Sequence, residues 1–562
     1  MSELFRDTVA GFFIRTITGK KLLRYPEEIP GFKVPVPVVK DVSYDSAAEV
    51  KTEDGKTAVG QEPGRSSDSD EDVERGNALQ LNASHVINPV VTKDGVILVD
   101  WYSEDDSANP KNWSSLKKTI VGGTICALTF TVYFGSSCFS PSIPGVVEHF
   151  GTSEVVASLG LALYVMAYGL GALVWSPLSE IPALGRNGLY VGTFFIYTVL
   201  MIPTAMVDSL PGLIVLRFIT GWFGAPCLST GPGSFADMLS YDKMPYILAI
   251  WAASATAAPA VGPFTVAYAT DAKDWQWSMW ELLWLSSFIF VLLFFVLPET
   301  SADNILLRRA ARLRAVTGNS NYKSRSEIKQ ADMSPKEIAF EALIKPWEMN
   351  FYDPAILFST VYVALCYAVF YSFFDAFPQV FPVMHGFTAP QTGLTFISIV
   401  VGLALAIPVQ LSHFYFVVAP SFVKNGPPAP EFWLKPSLVA TALIPIGLFI
   451  FAWTSRPEIY WLVPLIGVVL NQAGSYQVMN SQFSYIANIY PQYAASLFAA
   501  NAAARSCLAG GAILFSRPLF IKLGVNGGVS LLAGVMCVCS VLLFGLYRYG
   551  SVLRAKSKFV TN

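Results

Sequence analysis

Charge is scarce in this sequence. Lys and Arg number 38 and Asp and Glu 40, together 14% of 562 residues with a formal net charge of -2, whereas a soluble domain devotes roughly a quarter of its residues to charge. Most of the chain is therefore built for a solvent other than water. With no excess of positive charge there is no field left over to neutralise phosphates, which argues against a nucleic-acid partner. Histidine is rarer still: His85, His149, His385 and His413 are scattered and make neither a zinc set nor a catalytic triad. The seven cysteines are an odd number, lie in apolar stretches and include no CxxC pair, so they read as small packing residues rather than disulfides or metal ligands. No cofactor, metal or enzyme site is indicated. An apolar run of the signal-sequence kind is also missing near Met1, so the N-terminus is expected to stay in the cytosol, uncleaved.

What the chain has instead is apolar length. Hydrophobic residues make up 53% and the mean hydropathy is +0.47; Phe occurs 40 times and Trp 13, which suits lipid-facing surfaces and interfacial belts. From Thr119 onward, nearly uncharged windows run at 119–139, 155–178, 187–207, 211–236, 244–270, 282–298, 354–374, 388–412, 436–453, 459–482, 494–516 and 524–547. Each is long enough for a helix to cross a hydrocarbon layer of roughly 30 Å. Twelve spans are thus predicted, in an all-α membrane protein. A polar segment at 299–353, carrying Arg308, Arg309, Arg312 and Arg314, splits them six and six. The organisation that follows is a cytosolic tail at 1–116, six helices within 117–298, a middle loop at 299–353, six helices within 354–548 and a second tail at 549–562.

Basic residues set the orientation, because Lys and Arg stay on the cytosolic side. Lys117, Lys118, Arg186, the middle loop, Lys424, Lys435 and Arg548 to Lys558 fall on one side, with few opposite them, so both tails are expected in the cytosol. Within the first tail, residues 3–24 place Phe5, Val9, Phe12, Phe13 and Ile17 near one helical face, as a helix lying on the membrane surface would. Residues 41–90 are rich in Ser, Asp and Glu without periodicity and are expected to be disordered.

Several segments carry a resemblance. The loop Ser176-Pro-Leu-Ser-Glu180 followed by Leu184-Gly185-Arg186, the fourth-span run Arg217-Phe-Ile-Thr-Gly221, the fifth-span run Ser254-Ala-Thr-Ala-Ala-Pro259-Ala-Val-Gly262-Pro263, and Leu297-Pro-Glu-Thr300 together resemble the major facilitator superfamily, and within it the fungal twelve-span drug:proton antiporters. The resemblance implies two six-helix bundles around a central cavity, working by alternating access, in the plasma membrane and as a monomer. It implies proton-driven export of small, mostly apolar drugs or toxic compounds. Glu180, Gly185, Arg186 and Asp237 are then an inner gate, Pro259, Gly262 and Pro263 the antiporter signature, and Arg217 a proton-coupling residue. Ala258 and Val266 replace usual glycines, Asn187 a usual basic residue, and two extra residues separate Glu180 from Gly185, which predicts a less tightly ion-paired gate. A single-metabolite exporter and a proton-coupled nutrient importer share the same fold.

Charges inside spans are costly and face a cavity or a partner. Besides Arg217 these include Asp375, the candidate proton carrier, and Arg505, with Asn501 one turn earlier, on the central cleft. The tenth span is unusually polar at Asn471, Gln472, Tyr476, Gln477 and Asn480, groups that lipid does not tolerate. With Tyr164 and Tyr168 of the second span and Tyr371 and Phe374 of the seventh, they form the predicted substrate cavity, since aromatics with a few polar groups accept varied apolar ligands.

Overall fold

The computed structural model describes residues 5–32, 38–39, 90–91, 95–240, 242–331, 344–426, 428–490 and 494–555. The segment expected to be disordered lies outside the described residues except for Val90. Ten helices are long and apolar enough to cross a membrane: Ser115–Phe150, Glu154–Glu180, Arg186–Met206, Leu210–Met238, Met244–Ala272, Trp277–Val296, Pro354–His385, Ala389–Phe422, Pro430–Thr454 and Leu497–Ala555. Two further crossings come from physics that a hydropathy average misses. The helix Leu462–Ile489 is long enough but polar, and it buries Asn471, Gln472, Gln477, Asn480 and Gln482 between other helices. The helix Ala494–Ala555 runs on for 62 residues but turns back at Gly524, whose φ of 71° and ψ of 161° are not helical. Sixty residues of straight helix would measure about 90 Å, three bilayer cores. The chain folds there into an eleventh and a twelfth span.

The spans pack as two sets of six. The first packs on the fifth, the second on the fourth and the third on the sixth; in the other half the seventh lies on the eleventh and the ninth on the tenth. Two seams join the halves, the second span on the eleventh and the fifth on the eighth. Small residues let the backbones meet there. A Cβ on Gly169 would lie 2.3 Å from that of Ser506, and one on Gly393 would lie 2.7 Å from the Pro263 carbonyl oxygen. All seven cysteines are free thiols.

On the side where the first span begins, here called the tail side, polar segments build a cap. Residues Val9–Ile17 form a helix whose start is held by Thr8 Oγ1, which accepts from the Gly11 amide at 3.1 Å. It lies against the end of the sixth span through Phe5 on Phe295 and Phe13 on Phe294, ring centroids 6.4 and 5.9 Å apart. Phe12, Phe13 and Ile17 stay exposed, as a membrane-surface helix requires. Arg15 departs from the expected polar face: it turns inward, and its guanidinium donates to both Glu28 oxygens at 2.7 and 2.9 Å. Such pairing offsets much of the cost of burying the charge.

A second helix of the cap, Ala302–Thr317, carries Arg309 and Arg312 onto the tail. Arg309 Nη1 donates to Asp106 at 2.8 Å, its Nε lies 3.4 Å from Glu27, and Tyr102 donates to the same Glu27 at 2.9 Å. Arg312, Arg15 and Arg6 lie over Tyr25 at 3.8, 4.4 and 4.5 Å from the ring centroid. Burial by itself pushes the Asp106 carboxyl up, but Arg309 and two backbone amides outweigh it and hold it below its usual value. Burial, aided by the Asp7 charge, pushes the Tyr25 hydroxyl up to about 12.

The signs give a pH window. A lowered carboxyl contributes stability above its unfolded value near ~3.9 and loses it as pH falls through the folded value; a raised phenol contributes below ~10 and loses it as pH rises through the folded value. The cap is thus expected to hold from roughly pH 5 to 9 and to loosen beyond either end. Arg309→Met takes the 2.8 Å partner from Asp106 and leaves Glu27 with Arg312 at 3.5 Å and the Tyr102 hydroxyl; breaking a buried pair costs about 3 kcal/mol or more. Hydrogen exchange in residues 7–32 and 302–317 of the full chain is expected to quicken by about a hundredfold. Exchange at the unmutated rate would mean that the pairing does not hold the cap.

Candidate functional site

Between the halves lies a cluster of tyrosines with one guanidinium. Tyr133 and Ser136 come from the first span, Tyr168 from the second, Tyr367 and Tyr371 from the seventh and Arg505 from the eleventh. Tyr371 shares hydrogen bonds with Ser136 at 2.8 Å and with Tyr168 at 3.2 Å, and Tyr168 shares one of 2.6 Å with Tyr367. These bonds run from one half to the other. Arg505 Nη2 donates to the Tyr133 hydroxyl at 2.9 Å, and its guanidinium carbon stands 5.0 Å from the Tyr367 ring centroid and 5.7 Å from that of Phe483. Aromatic faces thus balance part of a charge that no carboxylate meets within 4 Å among the described residues.

Beside this cluster lies a cavity of about 20 Å³, room for roughly one water, lined by Tyr133, Trp251, Ala255, Tyr367, Tyr476, Asn480, Phe483 and Arg505 among others. Trp251 donates to Thr129 at 2.9 Å, and Tyr476 donates across the seam to the Ala249 carbonyl at 2.8 Å. Of the predicted cavity residues, Tyr168, Tyr371 and Arg505 meet in the cluster, while Tyr476 and Asn480 line the cavity. Others lie elsewhere. Tyr164 is inside the first half, donating to Val132 at 2.8 Å and sharing a 3.0 Å bond with Tyr197. Phe374 stacks on Tyr371 and packs on Phe396 of the eighth span. Gln477 donates to Ala406 of the eighth span at 3.0 Å, Gln472 abuts Gly402 of that span, and Asn471 abuts Gly447 of the ninth. Asn501 is 1% exposed with both amide atoms unpaired. Tyr133, Tyr367 and Trp251 were not singled out from the sequence; Tyr367, one turn before Tyr371, carried the clearest signal.

Arg217 is fully buried in the fourth span. Its Nη2 donates to Gly135 at 2.8 Å, its Nε to Gly160 at 3.0 Å, and its guanidinium stands 4.3 Å from the Tyr164 ring centroid and 5.0 Å from that of Phe139. The charge is spread over carbonyls and rings of the first and second spans, and among the described residues it forms no ion pair.

The predicted gate residues gather at the tail side. Arg186 Nε lies 2.8 Å from Asp237 Oδ2, and Nη1 donates to Thr230 at 3.4 Å. A Cβ on Gly233 would fall 1.9 Å from that Nη1, so only glycine lets the guanidinium lie there. Gly185 has a φ of 69°, and a Cβ on it would meet Glu299 at 2.4 Å, two separate reasons for glycine. Glu299 accepts from the Arg186 amide at 3.0 Å, from Asn187 at 3.2 Å and from Ser301 at 2.9 Å. Its carboxylate therefore satisfies the free N–H groups that open the third span. This residue lies in the Leu297-Pro-Glu-Thr300 run, where the sequence marked a motif without its partner. Arg186 and Asp237 are thus in direct contact. Glu180 is exposed nearby and outside ion-pair distance.

Of the antiporter-signature residues, Gly262 and Pro263 meet the spans on either side of the fifth, and Pro259 is buried one turn before them. A Cβ on Gly262 would lie 2.2 Å from Ser137 of the first span, and Pro263 gives its carbonyl to the contact with Gly393 of the eighth. Toward the far side, Asp375 keeps one buried oxygen unpaired. The charges acting on it are Arg517 and Glu154, which form an ion pair joining the eleventh span to the start of the second.

A family model described as Major Facilitator Superfamily matches residues 125–516. The MFS-type transporter pyvG of Aspergillus violaceofuscus is 41% identical over the whole of both chains. The cycloheximide resistance protein of Candida maltosa is 33% identical, again over 100% of each. The crystal structure of the human organic anion transporter MFSD10 superposes with a TM-score of 0.54, covering 76% of this chain and 99% of that one at 13% identity, a likeness of fold.

Proposed function

Because the chain belongs to the major facilitator superfamily, as a transporter of the fungal drug:proton antiporter family and not an enzyme, we propose that it exports small, mostly apolar toxic compounds across the plasma membrane. The observation that carries this reading is the contact between the halves, where aromatic faces surround a few polar groups and a small cavity. Such a lining binds varied apolar ligands without demanding one shape. The relative named for cycloheximide resistance over the full chain length supports the same reading. A single-metabolite exporter, which shares the same fold, is the second reading.

In this reading the tail side faces the cytosol, the chain acts as a monomer, and the proton gradient drives the cycle without a cofactor. The packed second and eleventh spans join the halves beside the cavity, and rocking the halves about that seam would expose the cavity to one side and then the other. Arg186 and Asp237 favour one arrangement of the gate, and Asp375, with an unpaired buried oxygen beside the Arg517–Glu154 pair, carries the proton.

Expression in a host stripped of its own pumps is expected to raise tolerance of cycloheximide and azoles together. Surface-delivered protein that raises neither would leave the single-metabolite reading. Asp375→Asn, delivered normally, is expected to flatten the dependence of export on outside pH; an unchanged dependence would remove Asp375 as the proton carrier.

A further inference from the structure

The sign of charge in the central cleft narrows the substrate class. Arg505 is 6% exposed and is the one charged side chain lining the cavity among the described residues. Its Nε has no acceptor, and its single hydrogen bond is the one it donates to Tyr133. Aromatic rings hold it from two sides through Tyr367 and Phe483. A guanidinium has five N–H donors and cannot give up its proton, so a buried one with idle donors is a fixed positive charge aimed at whatever enters. Nothing in the lining cancels it. The next intramembrane cation, Arg217, is likewise without an acid partner among the described residues and sits on carbonyls of the first half.

Aromatic walls alone would favour cations, because the faces of Tyr and Trp rings attract positive charge. Here the Tyr367 and Phe483 faces are already occupied by Arg505. A second cation in so small a cavity would be held close to the first in a medium that screens poorly. An anion or a carbonyl-type acceptor would instead complete the empty donors.

We propose that the site favours molecules bearing an anionic or hydrogen-bond-accepting group, seated on Arg505, and discriminates against organic cations. This deepens the export reading above and rests on it, since it takes the cleft as the substrate site. It also argues against polyamines, which the cavity has no carboxylate to receive.

Two xanthene dyes of like shape and opposite charge test it. Fluorescein is an anion and rhodamine 123 a cation at pH 8, and binding of each to the purified full chain is read by fluorescence polarisation at fixed pH. Fluorescein is expected to bind at least about tenfold tighter, a difference of about 1.4 kcal/mol. Arg505→Gln is expected to bring the two affinities together, and Arg505→Lys, which keeps the charge, to preserve the order. Rhodamine 123 binding as tightly as fluorescein to the unmutated protein, or an unchanged preference in Arg505→Gln, would overturn the proposal. If neither dye binds, the charge proposal fails with its site, whereas the drug-tolerance assay judges export independently. Should Arg505→Gln fail to fold, the comparison in the unmutated chain and in Arg505→Lys still decides.

Discussion

Arg217→Met is expected to reduce export to background, and Arg217→Lys to cut it by at least about tenfold while leaving delivery to the membrane near normal. The difference lies in what the guanidinium touches. Two short charge-assisted bonds to Gly160 and Gly135 tie the fourth span to the second and first, and each such bond is worth about 1.5–3 kcal/mol. Methionine removes both and leaves the carbonyls facing a dry interior, so less protein is expected to reach the membrane. Lysine keeps the charge but presents one compact ammonium where a planar fork served two helices. It is therefore expected to fold and to lose the positioning of the first span, whose Ser136 begins the hydroxyl contacts to the other half. Export per delivered molecule, measured with both variants quantified at the surface, separates folding from transport. Normal export by Arg217→Met would show that the buried cation serves neither.

The second large effect belongs to the gate. Arg186→Ala is expected to leave folding and delivery intact and to bring export to background, because the proposed cycle makes the Arg186–Asp237 contact in one arrangement of the helices and breaks it in another. A pair worth 1–2 kcal/mol moves such an equilibrium by roughly 5–30-fold. Arg186→Lys is expected to keep part of the activity, since Gly233 leaves room for a cation but the contact to Thr230 is lost. Protein that is unfolded and undelivered in Arg186→Ala would instead assign Arg186 a structural role. Gly185→Ala is a companion case: at φ 69° and against Glu299 it distorts the entry to the third span and is expected to mimic loss of the gate.

The spans were legible because lipid imposes a length on any apolar helix, and that rule needs no partner to be known. The tenth span is polar because helices, not lipid, surround it, and its lack of charge rather than its hydropathy marks it. Between the eleventh and twelfth windows the chain turns at Gly524 with a single non-helical residue, so the structure has one helical run where the sequence has two windows.

The gate was legible as a motif, yet not its geometry. Two extra residues before Gly185 and the loss of a basic side chain at Asn187 pointed to slack pairing. Glu299, more than a hundred residues onward, takes up the free amides at the start of the third span, which spacing within the loop does not reveal. Tyr133 and Tyr367 were hidden for a different reason. In a chain with 24 tyrosines and 40 phenylalanines, no single aromatic residue stands out, and what marks these two is that they meet Arg505 from opposite halves. Arg505 itself was visible because a charge in a span is rare.

The central claim, export by alternating access driven by protons, is tested most directly by uptake of labelled cycloheximide into vesicles holding the purified full chain with its tail side outward. Cycloheximide does not titrate near neutrality, so an imposed pH gradient does not redistribute it passively. With the vesicle interior one to two pH units more acidic, cycloheximide is expected to accumulate inside above its outside concentration, and a protonophore is expected to abolish the accumulation. Uptake that merely equilibrates, or that is the same with and without the gradient, would contradict the account.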